Sequence, residues 1–200
     1  MLAAIDAMPD RARVTLFVTT EHGMLPVETL VNIQKILANH QIPARAFATG
    51  TTALLYLDDP LQLARAEQVL GRYAAFDVFR PASAPSWSHL GRGPRVGDLV
   101  VSARPPYFIE DVARWPAWAR WIAEWGPEFL WGRFSLKASH GYPPDTPGVE
   151  GLLYARGSGI AKGRAVSSVR AIDLHPTVMH LLSLEPGKPV DGRIAAELLE

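Results

Sequence analysis

Residues 13–20, Arg-Val-Thr-Leu-Phe-Val-Thr-Thr, narrow what this chain can become more than any other segment. The run is continuously β-branched, aliphatic or aromatic, with charge before it and Glu-His-Gly after it. That is the pattern of a strand buried on both faces, not the alternation of a half-exposed one. Such a strand needs cover from two layers. The sequence therefore predicts an α/β fold with residues 13–20 in the middle of a mostly parallel sheet.

The remaining segments extend this reading. Residues 1–8 read as helical, with no N-cap in front of them. Residues 26–40 carry Pro26 near their start and Val27, Leu30, Val31, Ile33 and Leu37 at mostly helical spacing, which predicts a helix of about three to four turns. Between 44 and 103 the character changes to strands at 45–49 and 53–57, a helix at 61–73, and strands at 76–80 and 98–103. The order β-β-α-β-β predicts a small α+β subdomain inserted at 42–104 with its own antiparallel sheet. Its last two strands flank a loop at 81–97 rich in Pro, Gly and Ser. Residues 105–135 hold Trp115, Trp118, Trp121, Trp125 and Trp131 and predict a Trp-rich helical excursion packed on the body of the fold by its indole stripe. Residues 1–41 and 136–200 then form the α/β core. This core includes a strand at 151–156, a helix from an N-capping Asp173 through Leu182, and a short final helix at 192–200.

Composition excludes several functions. Across 200 residues, 20 Lys and Arg balance 20 Asp and Glu, so the net charge is zero. Without a basic block there is no electrostatic footprint for nucleic acid or for an anionic membrane surface. No run approaches 18 apolar residues, and the first nine residues lack a basic stretch followed by a long apolar one. The reading therefore expects neither a membrane span nor a visible export signal, and leaves the compartment open. With no cysteine, any metal must be held by histidines and carboxylates.

Two His-Gly turns carry the chemistry. At 18–24, Val-Thr-Thr-Glu-His-Gly-Met, the buried strand ends and delivers Glu21 and His22 beyond its C-terminal edge, the edge where ligands bind in open α/β sheets. A carboxylate beside a neutral imidazole suits Zn²⁺ or Mn²⁺, and Gly23 lets the chain turn away. At 138–142, Ala-Ser-His-Gly-Tyr, a second His-Gly places His140 beside a predicted core strand. His40 and His89 read as surface residues. His175 and His180, about 500° apart around a helix, share no face and read as structural.

These junctions, taken in order, resemble the type I phosphodiesterase/nucleotide pyrophosphatase family of the alkaline phosphatase superfamily. Thr-Glu-His-Gly-Met at 20–24 is similar to that family's Ser-Asp-His-Gly-Met. Ser-His-Gly-Tyr at 139–142 resembles segments of the family's C-terminal half, as do Leu-Leu-Tyr-Ala-Arg-Gly at 152–157, the stretch 169–182 and Val-Asp-Gly-Arg at 190–193. The resemblance implies a partial alkaline-phosphatase-like core and metal-dependent hydrolysis of phosphodiester or pyrophosphate bonds. It also implies a two-metal site, normally zinc, and a small phosphodiester or nucleotide substrate. Glu21 and His22 would correspond to the Asp-His pair on one ion and His140 to a histidine on the other. Two departures stand out. Position 21 is Glu where the family has Asp, and the nucleophile and remaining ligands of the family lie upstream of a junction that only twenty residues precede here. None of those twenty matches those motifs. The expectation is a C-terminal half, inactive alone, with the N-terminal half supplied in cis or in trans. The competing expectation is an inactive family member that binds a nucleotide or a protein.

Overall fold

The computed structural model describes residues 2–91, 93–131 and 136–200. Along the chain run α1 (Leu2–Asp6), β1 (Thr15–Thr19), β2 (Leu25–Pro26), β3 (Thr29–Val31), α2 (Ile33–Asn39), β4 (Ala44–Gly50), β5 (Thr52–Leu57) and α3 (Leu63–Leu70). They are followed by β6 (Phe76–Phe79), β7 (Leu99–Ala103), β8 (Tyr107–Glu110), α4 (Ala117–Trp125), β9 (Phe129–Trp131), β10 (Ala138–Ser139), β11 (Leu153–Gly157) and α5 (Leu174–Leu181). The chain divides into two compact units, Met1–His22 with Gly151–Glu200, and Gly23–Glu150.

The second unit is built on a seven-stranded sheet in the order β6-β7-β5-β4-β8-β3-β9. The α/β class holds, but the sheet is not mostly parallel: β3 with β8 is its one parallel pairing, and every other neighbour is antiparallel. The reason is local. β4 and β5 are separated by a single residue, Thr51, with Gly50 at φ +80°, and a connection that short can only make a hairpin. The α3 helix starts behind an Asp59 side chain that accepts from the Leu61 backbone N–H at 2.9 Å, with Pro60 at the first position of the turn. It buries Ala66, Val69 and Leu70. The α2 helix is capped by Asn32, whose Oδ1 accepts from the Lys35 N–H at 3.0 Å, and it buries Ile33, Ile36 and Leu37. With Leu30, Val31, Leu55, Leu99, Phe108 and Ile109 these side chains make one hydrophobic cluster.

The expected subdomain boundary at 42 does not coincide with a break in this sheet. Elements 44–103 appear in the predicted order, but Thr49 and Gly50 of β4 pair with Glu110 and Ile109 of β8, and β8 pairs in turn with β3. The sheet therefore runs through the proposed insertion into residues on both sides of it. The Trp-rich stretch is likewise not wholly helical, since β8 and β9 are strands of the same sheet; its residues 132–135 lie outside those described.

The first unit holds β1 and β11, paired antiparallel as a two-stranded sheet with Val18 opposite Tyr154 and Leu16 opposite Arg156. The predicted helix from Asp173 is α5, but Asp173 does not cap it with its side chain. Its buried carboxylate instead accepts from the Arg170 guanidinium at 2.9 Å and from the Arg193 backbone N–H at 2.9 Å. Thr177 completes the tie: its hydroxyl donates to the Asp173 carbonyl at 2.6 Å and accepts from the Ala195 N–H at 2.9 Å. The final segment forms only a short 3₁₀ turn, Ala196–Leu198. Among the described residues no helix is long and apolar enough to cross a membrane.

Candidate metal-ligand junctions

Glu21 and His22 follow β1 directly. On the N-terminal side the chain is pinned within the first unit, where Thr20 N–H donates to the Leu152 carbonyl at 3.2 Å and the Leu152 N–H donates to the Thr20 hydroxyl at 2.9 Å. Beyond them, Gly23 N–H donates to the Val149 carbonyl at 2.7 Å, and a Cβ at position 23 would stand 2.5 Å from the Gly148 carbonyl oxygen. No side chain fits there, which explains the glycine better than conformational freedom does. Between these pins the Glu21 carboxylate reaches the imidazole of His22, Oε1 to Nε2, at 3.0 Å. Glu21 is otherwise in solvent, with 86% of its side chain exposed against 30% for His22.

His140 stands in the second unit, one residue past β10, which pairs with β2. Its backbone is held closely. The hydroxyl of buried Thr51 donates to the His140 carbonyl at 3.1 Å, and Gly141 follows at φ +93°, where a Cβ would meet that same hydroxyl oxygen at 2.7 Å. Tyr142 then buries its ring, donates its hydroxyl to the Tyr107 carbonyl at 2.7 Å, and has its pKa pushed up to about 12 by burial. The loop continues along a cavity of about 370 Å³, whose lining includes Pro143, Asp145, Phe79, Trp87 and Arg104. The quoted motif already contained Tyr142. Thr51 and Trp87 carried no sequence signal: Thr51 is far from His140 in the chain, and Trp87 sits in an aperiodic Pro-, Gly- and Ser-rich loop two residues before His89.

The donors present do not fit a two-ion centre. Glu21 and His22 converge on each other, His140 belongs to the other unit, and among the described residues no group of three or more His, Asp or Glu could hold a metal ion. An ion clamp of that kind needs about three protein ligands per metal.

The profile of the family described as Type I phosphodiesterase / nucleotide pyrophosphatase matches residues 1–143. The chain belongs to that family. Its members are metal-dependent hydrolases, and the matched span contains both His-Gly junctions. Among solved structures, murine ectonucleotide pyrophosphatase/phosphodiesterase 5 superposes with a TM-score of 0.72 at 19% identity, over 94% of this chain and 46% of that one. An inactive form of the murine protein in complex with AMP gives a TM-score of 0.72 at 18% identity, over the same shares. The human counterpart gives 0.71 at 16%, over 93% and 45%. This likeness establishes the family's fold for nearly the whole chain, including the residues beyond 143. No curated protein matches by sequence. The chain spans less than half the length of these relatives.

Proposed function

We propose that this chain contributes one part of the active site of a hydrolase of phosphodiester or pyrophosphate bonds. Glu21, His22 and His140 would be its share of the metal donors, with Zn²⁺ the expected ion and Mn²⁺ the alternative. The observation that supports this most is the family match over 1–143, which takes in both junctions. The nucleophile and the remaining donors then come from polypeptide outside residues 1–200, in cis or in trans. The substrate class is a small phosphodiester or nucleotide, and the cavity beside the His140 loop, with Phe79 and Trp87, would receive its leaving group.

The test is hydrolysis of a nitrophenyl phosphodiester with added Zn²⁺ or Mn²⁺. The 200 residues alone should give no turnover. Turnover should appear when the complementary part of the domain is supplied, and His22→Ala and His140→Ala should each abolish it. Metal-dependent turnover by the chain alone would overturn the part-site reading, and turnover indifferent to both variants would overturn the donor assignment. The longer Glu21, already engaged with His22, favours a second reading, an inactive member that binds a nucleotide. AMP binding without turnover in the completed domain would decide for it.

A further inference from the structure

Helix α4 packs with its small residues inward. Ala123 is buried and its carbonyl accepts from Asn32 Nδ2 at 3.2 Å, and Ala119, one turn earlier, is half-buried. Trp118, Trp121 and Trp125, at spacings of three and four, fall on one outward stripe and are 70%, 63% and 74% exposed. Trp115, half-buried just before the helix, donates its Nε1–H to the Glu110 carboxylate at 3.0 Å. The N–H groups of the three outer indoles have no acceptor among the described residues.

Area, charge and residue type together decide what covers such a stripe. An indole hides at most about 250 Å² when fully buried, so at these exposures the stripe offers about 500 Å², short of the roughly 800 Å² per partner that a stable dimer buries. Around it the chain carries Arg114 and Arg120 against Asp111, Glu124 and Glu128, so no positive excess draws an anionic surface. An indole joins an apolar ring to a single polar N–H, and it is enriched where hydrocarbon meets lipid headgroups.

We propose that the outward stripe of α4 is a peripheral membrane anchor, which immerses Trp118, Trp121 and Trp125 in the interface of a zwitterionic phospholipid bilayer. The helix lies in the plane of that interface, since its nine residues span only about 13 Å and cannot cross. The rings enter the acyl boundary, and each N–H meets an ester or headgroup oxygen. Arg120 and Glu124, exposed on the flank of the stripe, stay in water. The anchor requires no metal and is independent of the hydrolase reading.

The experiment is flotation of the full 200-residue chain with phosphatidylcholine vesicles. The chain should float with them, and binding should be unchanged by added salt or by admixture of phosphatidylglycerol. Replacing the three indoles together, Trp118→Ala, Trp121→Ala and Trp125→Ala, should lower binding at least about tenfold while the urea midpoint holds, because the side chains removed are exposed. Phosphatidylcholine brominated in its acyl chains should quench the indole emission of the parent chain, a reading that needs no variant. Absence of flotation, or flotation without quenching, would overturn the proposal. Binding retained by the triple variant would do the same. So would binding that requires phosphatidylglycerol and falls with salt, which marks an electrostatic contact. A dimer in sedimentation velocity that the triple variant loses would also overturn it, giving the stripe to a second copy.

Discussion

Asp173 shows how much one buried carboxylate can organise. It is wholly buried, and the guanidinium of Arg170, assisted by the Arg193 N–H, holds its pKa below the ordinary carboxylate range. Arg193 in turn holds the more exposed Glu197 down to about 2. For both groups the folded pKa is depressed, so their contribution to stability is present above the unfolded carboxylate range near 4 and is lost as pH falls through the folded values. The urea midpoint of the first unit should therefore drop between pH 5 and pH 2, and Asp173→Asn should lower it at neutral pH while flattening that acid limb. An unchanged acid limb in the variant would place the titration elsewhere. From sequence, Asp173 was legible as a helix-start residue. Its true partners were not, because Arg193 lies twenty positions away and reaches it through the fold. Glu21, His22 and His140 were singled out as candidates because short His-Gly turns are local patterns, whereas Thr51, between β4 and β5, meets the His140 carbonyl only through the fold.

At the scale of the element, most strands and helices of 44–103 fall within a few residues of where the pattern puts them, since hairpin and helix signals are local. Two elements depart. Residues 26–40 yield β3 and then α2, because Thr29–Val31 is claimed by β8 and β9 on its two sides. The tryptophans of α4 reverse the expected packing. Trp118, Trp121 and Trp125 are 63–74% exposed, whereas Ala123 is buried and its carbonyl accepts from Asn32 Nδ2 at 3.2 Å. Helical spacing identified the face correctly but could not say which face is inward. Small alanines let the helix approach closely, and the indoles remain outside. Enlarging the inward position should thus be the costly change. Ala123→Leu is expected to destabilise by about 1–3 kcal/mol through overpacking, and Trp121→Ala to stay within about 0.5 kcal/mol of the parent. Urea titrations of the two variants compare them directly, and a larger loss in Trp121→Ala would restore the indole-in packing.

For the whole molecule, the family and its order of motifs were readable because each motif is contiguous, while the sheet's direction was not. A strand's buried composition records that both its faces are covered in the finished domain. It does not record which chain segment covers them or whether neighbours run parallel. Residues 13–20 therefore read as a central strand, yet within this chain β1 has one antiparallel neighbour and an open apolar face. This contrast predicts an uneven stability map. Leu55 is fully buried in β5 within the cluster, so Leu55→Ala should cost about 2–5 kcal/mol, the transfer free energy of the lost side chain plus the cavity left behind. Val18→Ala removes a side chain already 43% exposed and should stay within about 0.5 kcal/mol in the 200-residue chain. Completion of the domain should change the second value and leave the first alone, because covering β1 turns position 18 from solvent-facing into core. Urea denaturation of both variants, with and without the complementary portion, reads this difference. A cost of several kcal/mol for Val18→Ala in the chain alone would mean that β1 is already buried and that the first unit carries a core of its own.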